Sequence, residues 1–330
     1  MGFVDIAGNS RIKKILKLAL QRERVPNSIL FNGPVGVGKR NMALVLAKAL
    51  NCGRKKDDAC DACASCSAIN KQKFPDVLEI CPEGDVIKIE QIRFLKQTAY
   101  LKPMIGKKRV FIVDEAEKMN EESANSFLKI LEEPPLYSHI FLVSSNPLLI
   151  LPTIISRCQT LNFVPVSREE IENILREKGC EEERAKVIAL LVRGNLELAL
   201  SLEWEEVQKR RRKAWDLLMA FLRREESSLF LRKYAFLRRN QVQEDLEQML
   251  ELFSSFCRDF VLLKEKSNPC FLLNPDYEKE LRESEKYLSY EEALQWLQEI
   301  DDALSALDKK ANLGLLVSSL YSQIIGLENG

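Results

Sequence analysis

The chain has 330 residues, with 49 Lys and Arg balanced by 49 Asp and Glu, and 46% of it is hydrophobic. That length and composition suit two or three domains with full cores and exclude disorder as the main state. No apolar run reaches the roughly 20 residues a membrane helix needs, and Met1–Ile6 lacks a signal-peptide pattern, so a cytoplasmic location with no membrane partner is expected.

Nine cysteines in a reducing compartment point to metal or to buried thiols rather than disulfides. A single histidine, His139, leaves almost no room for Ser-His-Asp or Cys-His chemistry and none for a His-rich metal site. The charge balance hides a division: residues 1–165 carry 24 basic and 17 acidic residues, and residues 166–330 carry 25 and 32. Eight of 13 glycines and ten of 12 prolines fall in the first half, and the 74 residues from Asn195 to Asn268 contain neither, which favours long helices there.

In chain order, short apolar β-branched runs alternate with helical stretches: Ser28–Phe31, Val77–Ile80, Arg109–Val113 and Ile140–Ser144 read as strands of a parallel α/β sheet. Beyond Pro165 the pattern is helical only. Ser167 is a predicted N-cap with Glu170 at the capping-box position, opening a helix to about Lys178. A second helix is predicted from Glu181 to Arg193, ending at Gly194-Asn195. Apolar residues then recur at helical spacing (Trp215, Leu218, Phe221, Leu222; Leu246, Leu250, Phe253; Leu294, Leu297, Ile300, Leu304), as in a helical bundle.

Gly33-Pro34-Val35-Gly36-Val37-Gly38-Lys39 follows the first strand directly and precedes the helical run Asn41–Leu50. This is the form of a phosphate-binding loop: glycines let N–H groups converge on phosphate oxygens, and the lysine reaches the terminal phosphates. The next position needs a hydroxyl to hold Mg²⁺, and here it is Arg40, whose guanidinium cannot coordinate a cation. Val110–Val113 ends in Asp114-Glu115, the form of a Walker B element, in which Asp114 supports Mg²⁺ and Glu115 orients the attacking water. A bland alternative is a carboxylate pair that caps the next helix.

Cys52, Cys60, Cys63 and Cys66 follow C-x7-C-x2-C-x2-C in a polar stretch, suited to a closed tetrahedral structural Zn²⁺ site, with a degenerate metal-free site as the alternative. Cys81, Cys158, Cys180, Cys257 and Cys270 are scattered and read as buried small apolar residues. His139 reads as structural, and the basic run Lys209–Lys213 as a solvated helix face. Ser156-Arg157-Cys158 means nothing alone, but an exposed arginine at a subunit border can reach a neighbour's γ-phosphate.

Together these residues resemble the bacterial clamp-loader ATPase family of the AAA+ superfamily. The segments that carry the resemblance are Phe3-Val4-Asp5-Ile6 with Gly8, the cysteines after the P-loop helix, Phe74-Pro75-Asp76-Val77, the run from Ala124 to Pro135, and Ser156-Arg157-Cys158. The resemblance implies an α/β P-loop core with a parallel sheet and the cysteine module over residues 1–165, a helical lid over 166–202, and an all-α collar for oligomerisation over 203–330. It implies a five-subunit ring with partners of the gamma/tau and delta types, acting on a sliding clamp and primed DNA.

Within the family, Arg40 and the motif Gly194-Asn195-Leu196-Glu197-Leu198-Ala199-Leu200 favour a companion subunit over the gamma/tau motor. Glu197 falls where the motor subunit would place a nucleotide-contacting arginine, and Ser145 falls at the first sensor position. Gly33, Gly36, Gly38, Lys39, Arg40, Asp114 and Ser145 are then a vestigial or weak nucleotide site, with ATP and Mg²⁺ doubtful as cofactors and Glu115 inactive. Arg157 remains as an arginine finger acting in trans. Two other readings stand: an active gamma/tau-like ATPase, and a zinc-bearing DNA-binding module on an AAA+ scaffold.

Overall fold

The computed structural model describes residues 1–223, 239–265, 268, 271–308 and 312–325. Two compact units emerge, Met1–Ser201 and Leu202–Gly330.

The first unit is built on five parallel strands, β1 (Ser28–Asn32), β2 (Val77–Ile80), β3 (Arg109–Val113), β4 (Ser138–Ser144) and β5 (Gln159–Asn162), in the order β2-β3-β4-β1-β5. The three central strands are continuous apolar runs because both faces of the sheet are covered. Alternation along the strand sorts side chains between two cores. Ile29, Phe31, Val110, Ile112, Phe141 and Val143 face helices α1 (Ser10–Gln21) and α2 (Lys39–Asn51). Leu30, Phe111, Val113, Ile140 and Leu142 face α4 (Ile89–Ala99), α5 (Glu121–Glu132) and the short α6 (Pro152–Ile155), with α3 (Ala64–Asn70) lying in the cysteine segment.

Four of the strands match the sequence expectation closely. β5 was not anticipated: Gln159-Thr160-Leu161-Asn162 has one apolar residue, and only Leu161 is buried, as suits an edge strand beside β1. At the opposite end of the strands a buried ion pair fixes the loop before β3. Asp76 accepts the N–H groups of Met104, Ile105 and Gly106, each at 2.8 Å, and Arg109 Nη2 at 2.8 Å.

Three helices close the unit: α7 (Arg168–Glu177), α8 (Glu182–Leu191) and α9 (Leu196–Ser201). Ser167 caps α7 by accepting Glu170 N–H, but the reciprocal half of the capping box is not made. Glu170 Oε1 instead accepts Gly8 N–H at 2.6 Å, tying α7 to the N-terminal segment. α8 stops before the expected Arg193; Arg193 and Gly194 take φ of 47° and 89°, and Asn195 Oδ1 accepts Leu198 N–H to start α9.

The second unit is all-helical among its described residues: α10 (Trp204–Leu222), α11 (Arg239–Lys264), α12 (Glu278–Ser284), α13 (Tyr290–Asp308) and α14 (Leu313–Ile325). Its core joins Trp215, Leu218 and Phe221 to Leu246, Leu250, Phe253, Phe256 and Phe260. On α13 the inward stripe is Ala293, Trp296, Ile300, Ala303 and Leu307: of the expected residues Ile300 is in the core, Leu297 and Leu304 flank it, and Leu294 is exposed. Tryptophan and alanine carry the buried face there, which leucine counting overlooks.

The basic run Lys209–Lys213 is a solvated face except at one residue. Arg211 is fully buried, donating to both carboxylate oxygens of Asp276 (2.8 and 2.7 Å) and to Asn274 Oδ1 (2.9 Å), with its guanidinium 5.1 Å from the Tyr277 ring centre. No helix among the described residues is long and apolar enough to cross a membrane.

Candidate nucleotide site and cysteine cluster

The C-terminal ends of β1, β3 and β4 deliver Gly33, Asp114 and Ser145 to one edge of the sheet, where open parallel sheets place ligands. A cleft of about 300 Å³ opens there, lined by Gly36, Gly38, Lys39, Arg40, Asp114, Glu115, Glu117, Ser145 and Glu197. The structure therefore brings together all the sequence-selected P-loop, Walker B and sensor positions except Gly33, whose carbonyl accepts from Lys39.

Gly36 has φ 72°, and a Cβ there would sit 1.6 Å from Asn195 Oδ1, so only glycine allows the loop to meet the segment before α9. Glu197 N–H donates to Gly36 O at 3.3 Å across the same contact.

Lys39 is buried and turned back on its own loop, donating to Gly33 O at 2.7 Å and Pro34 O at 2.5 Å. Burial holds its pKa below the usual lysine value, with Glu117, Asp114 and Glu197 opposing. Arg40 Nε lies 3.1 Å from Glu79 Oε2 and 3.4 Å from Asp114 Oδ2, and a terminal nitrogen also binds Glu79. Burial opposes the Arg40 charge, but the hydrogen bond and charge of Glu79 outweigh it and raise the pKa.

Burial lifts the Asp114 pKa above the usual carboxylate value, although Arg40 and the N–H of Glu115 pull it down. Glu115 has φ 48° and its carboxylate pairs with Lys118 at 2.6 Å. Ser145 is engaged too: its N–H and hydroxyl donate to Glu117 Oε1 at 3.0 and 2.6 Å. For Glu117, burial raises the pKa, but those Ser145 hydrogen bonds prevail and lower it. Sequence reasoning missed Glu117; its position two residues past the Walker B pair was the available signal. The cleft thus holds two cations, Lys39 and Arg40, against four carboxylates, Asp114, Glu115, Glu117 and Glu197.

Arg157 is not part of this cleft. It follows α6 on an exposed turn and pairs with Glu132.

The Sγ atoms of Cys52, Cys60, Cys63 and Cys66 all lie within 4.8 Å of one another. A tetrahedral ion at about 2.3 Å from each sulfur needs them about 3.8 Å apart, so the set fits with slight contraction. Backbone N–H groups already point at the sulfurs: Arg54 and Lys55 at Cys52 (3.4 and 3.3 Å), Cys63 at Cys60 (3.3 Å), Cys66 at Cys63 (3.5 Å). Such donors favour thiolates, the form that binds metal.

The cluster is joined to the N-terminal segment. Lys48 Nζ, fully buried, donates to Met1 O and Asp61 Oδ1 at 2.6 Å each, and Phe3 N–H donates to Asp58 Oδ1 at 2.9 Å. Of the other cysteines, Cys257 is buried and Cys158 and Cys180 are partly so. Cys81 is exposed, contrary to expectation, because it ends the edge strand β2 at the cleft side; Cys270 lies outside the described residues.

Residues 8–167 match the family described as DNA polymerase III, delta subunit. The chain is 33% identical over 211 residues to DNA polymerase III subunit delta' of Bacillus subtilis, a match covering 63% of this chain and 64% of that protein. It is 32% identical over 207 residues to DNA polymerase III subunit tau of the same organism, covering 61% of this chain and 37% of that protein. A crystal structure of a DNA polymerase III gamma subunit-related protein from Thermotoga maritima is 21% identical with a TM-score of 0.47, over 95% of this chain and 98% of that one. These matches place the likeness to DNA polymerase III subunits in the P-loop unit, and the chain spans less than two thirds of the length of either relative.

Proposed function

We propose that the chain is a delta-prime-type subunit of the DNA polymerase III clamp loader, which helps an ATP-driven ring place a sliding clamp on primed DNA and does not itself hydrolyse ATP efficiently. The observation that carries this reading is the pairing of Arg40 with Asp114 and Glu79. A fixed guanidinium stands where a P-loop hydroxyl and Asp114 would share Mg²⁺, and Asp114 is committed to it. Glu197 and Glu117 add negative charge to a cleft that would have to accept a triphosphate.

In this reading residues 1–165 are the AAA+ core, 166–202 a lid, and 203–330 a collar that meets gamma/tau and delta-type subunits in a five-subunit ring. Cys52, Cys60, Cys63 and Cys66 would hold a structural Zn²⁺, which closes all four coordination positions and supplies rigidity rather than chemistry. Arg157, half-exposed on a turn, would serve the ATP of the adjacent subunit, adding positive charge where the transferred phosphoryl group develops negative charge.

The test is the reconstituted ring. Arg157→Ala should leave assembly intact and lower hydrolysis at the neighbouring site by roughly 10³-fold. Unchanged turnover would remove the finger from the proposal.

A further inference from the structure

Arg157 is exposed, yet its guanidinium is held from within its own chain. Nε and Nη2 both donate to Glu132 Oε1, at 3.0 and 2.6 Å. Nη1 donates to Thr153 O at 2.9 Å and reaches Ser156 Oγ at 3.4 Å, the margin of hydrogen bonding. Both ends of this arrangement rest on one core. Glu132 ends α5 just after Ile130 and Leu131, which share a buried cluster with Ile154 of α6, and Cys158 packs against that cluster directly after Arg157.

A pair this exposed contributes little to fold stability, so its consequence lies in orientation. An unrestrained arginine samples many rotamers, all but one of which must be lost before its planar fork can meet a phosphoryl oxygen. Because the guanidinium is rigid and planar, bonding its Nε–Nη2 edge to Glu132 fixes the direction of the opposite edge. Of its five N–H groups, those on Nε, Nη2 and Nη1 that reach Glu132 and Thr153 are engaged, the second on Nη1 has only the marginal Ser156 contact, and the second on Nη2 remains for a ligand.

We infer that Glu132 is a positioning residue for Arg157: it sets the guanidinium plane so that the Nη1–Nη2 edge is presented to the triphosphate of an adjacent subunit. This rests on reading Arg157 as a finger acting in trans.

The test is a double-mutant cycle in the reconstituted ring, with ATP turnover measured at saturating clamp and primed DNA. Glu132→Ala should lower kcat roughly tenfold with KM for ATP unchanged, the mark of a contact realised in the transition state. Glu132→Gln, which keeps an acceptor oxygen, should restore part of the loss. In the Arg157→Ala background, Glu132→Ala should cost nothing further. Three results would overturn the inference while leaving the finger in place: normal turnover in Glu132→Ala beside a defective Arg157→Ala, losses that multiply in the double variant, or faster turnover in Glu132→Ala, which would make the carboxylate a restraint. Normal turnover in Arg157→Ala alone would end both the finger reading and this one, and is read from a separate arm.

Discussion

Arg40 and Asp114 form an ion pair, Nε to Oδ2 at 3.4 Å, across the cleft edge where a metal-dependent P-loop would keep a hydroxyl and a carboxylate free for Mg²⁺. Glu79 accepts from the same Nε at 3.1 Å. Replacing Arg40 with Thr removes the fixed charge and releases Asp114, so calorimetry should show MgADP affinity rising by on the order of tenfold over the parent. No gain would mean that the remaining carboxylates, Glu117 and Glu197, suffice to exclude the nucleotide.

The cysteine cluster and the N-terminal segment should loosen together. Cys63→Ser is expected to abolish stoichiometric zinc in elemental analysis and to speed amide exchange over residues 52–66. Because Asp58 and Asp61 connect this segment to Phe3 and, through Lys48, to Met1, residues 1–6 should lose protection in the same experiment. Retained metal would contradict the four-thiolate site.

His139 offers a clean pH prediction because it is the chain's one histidine. Burial lowers its pKa from 6.5 to about 4, partly opposed by its contact with Pro26 O. Between those values the unfolded chain binds a proton that the folded chain refuses, so this residue's effect is to reduce stability as pH falls through 6.5, the loss being complete near pH 4. The shift corresponds to about 3 kcal/mol. Urea unfolding of His139→Asn should lack that component, and the single imidazole C2–H resonance of the parent should titrate near pH 4.

Asp76 and Arg109 are fully buried and paired at 2.8 Å. Asp76→Ala strands the guanidinium and leaves three loop N–H groups without their acceptor. Urea unfolding should show a loss of about 3–5 kcal/mol, and the loop around Met104 should become protease-sensitive.

Much of the first unit was legible because its central strands are buried on both faces and write unbroken apolar runs into the sequence. β5 was not, since an edge strand with three polar residues in four carries no such signal. The P-loop, Walker B and sensor residues announced themselves by type and spacing, and the structure gathers most of them into one cleft. Glu117 did not, because its role depends on Ser145, 28 residues away. Arg211 looked like a solvated charge for the same reason: the Asp276 that makes its burial tolerable is distant in sequence. On α13 periodicity found Ile300 but took Leu294, Leu297 and Leu304 for the centre of the inward face, where Ala293, Trp296 and Ala303 are buried more deeply.

If Arg40 and the cleft carboxylates block metal-dependent turnover in this subunit, steady-state ATP hydrolysis by the purified chain, measured with and without Mg²⁺ and beside Lys39→Ala, should stay at background. Neither Mg²⁺ nor the substitution should change the rate. Mg²⁺-dependent hydrolysis that disappears in Lys39→Ala would contradict that block.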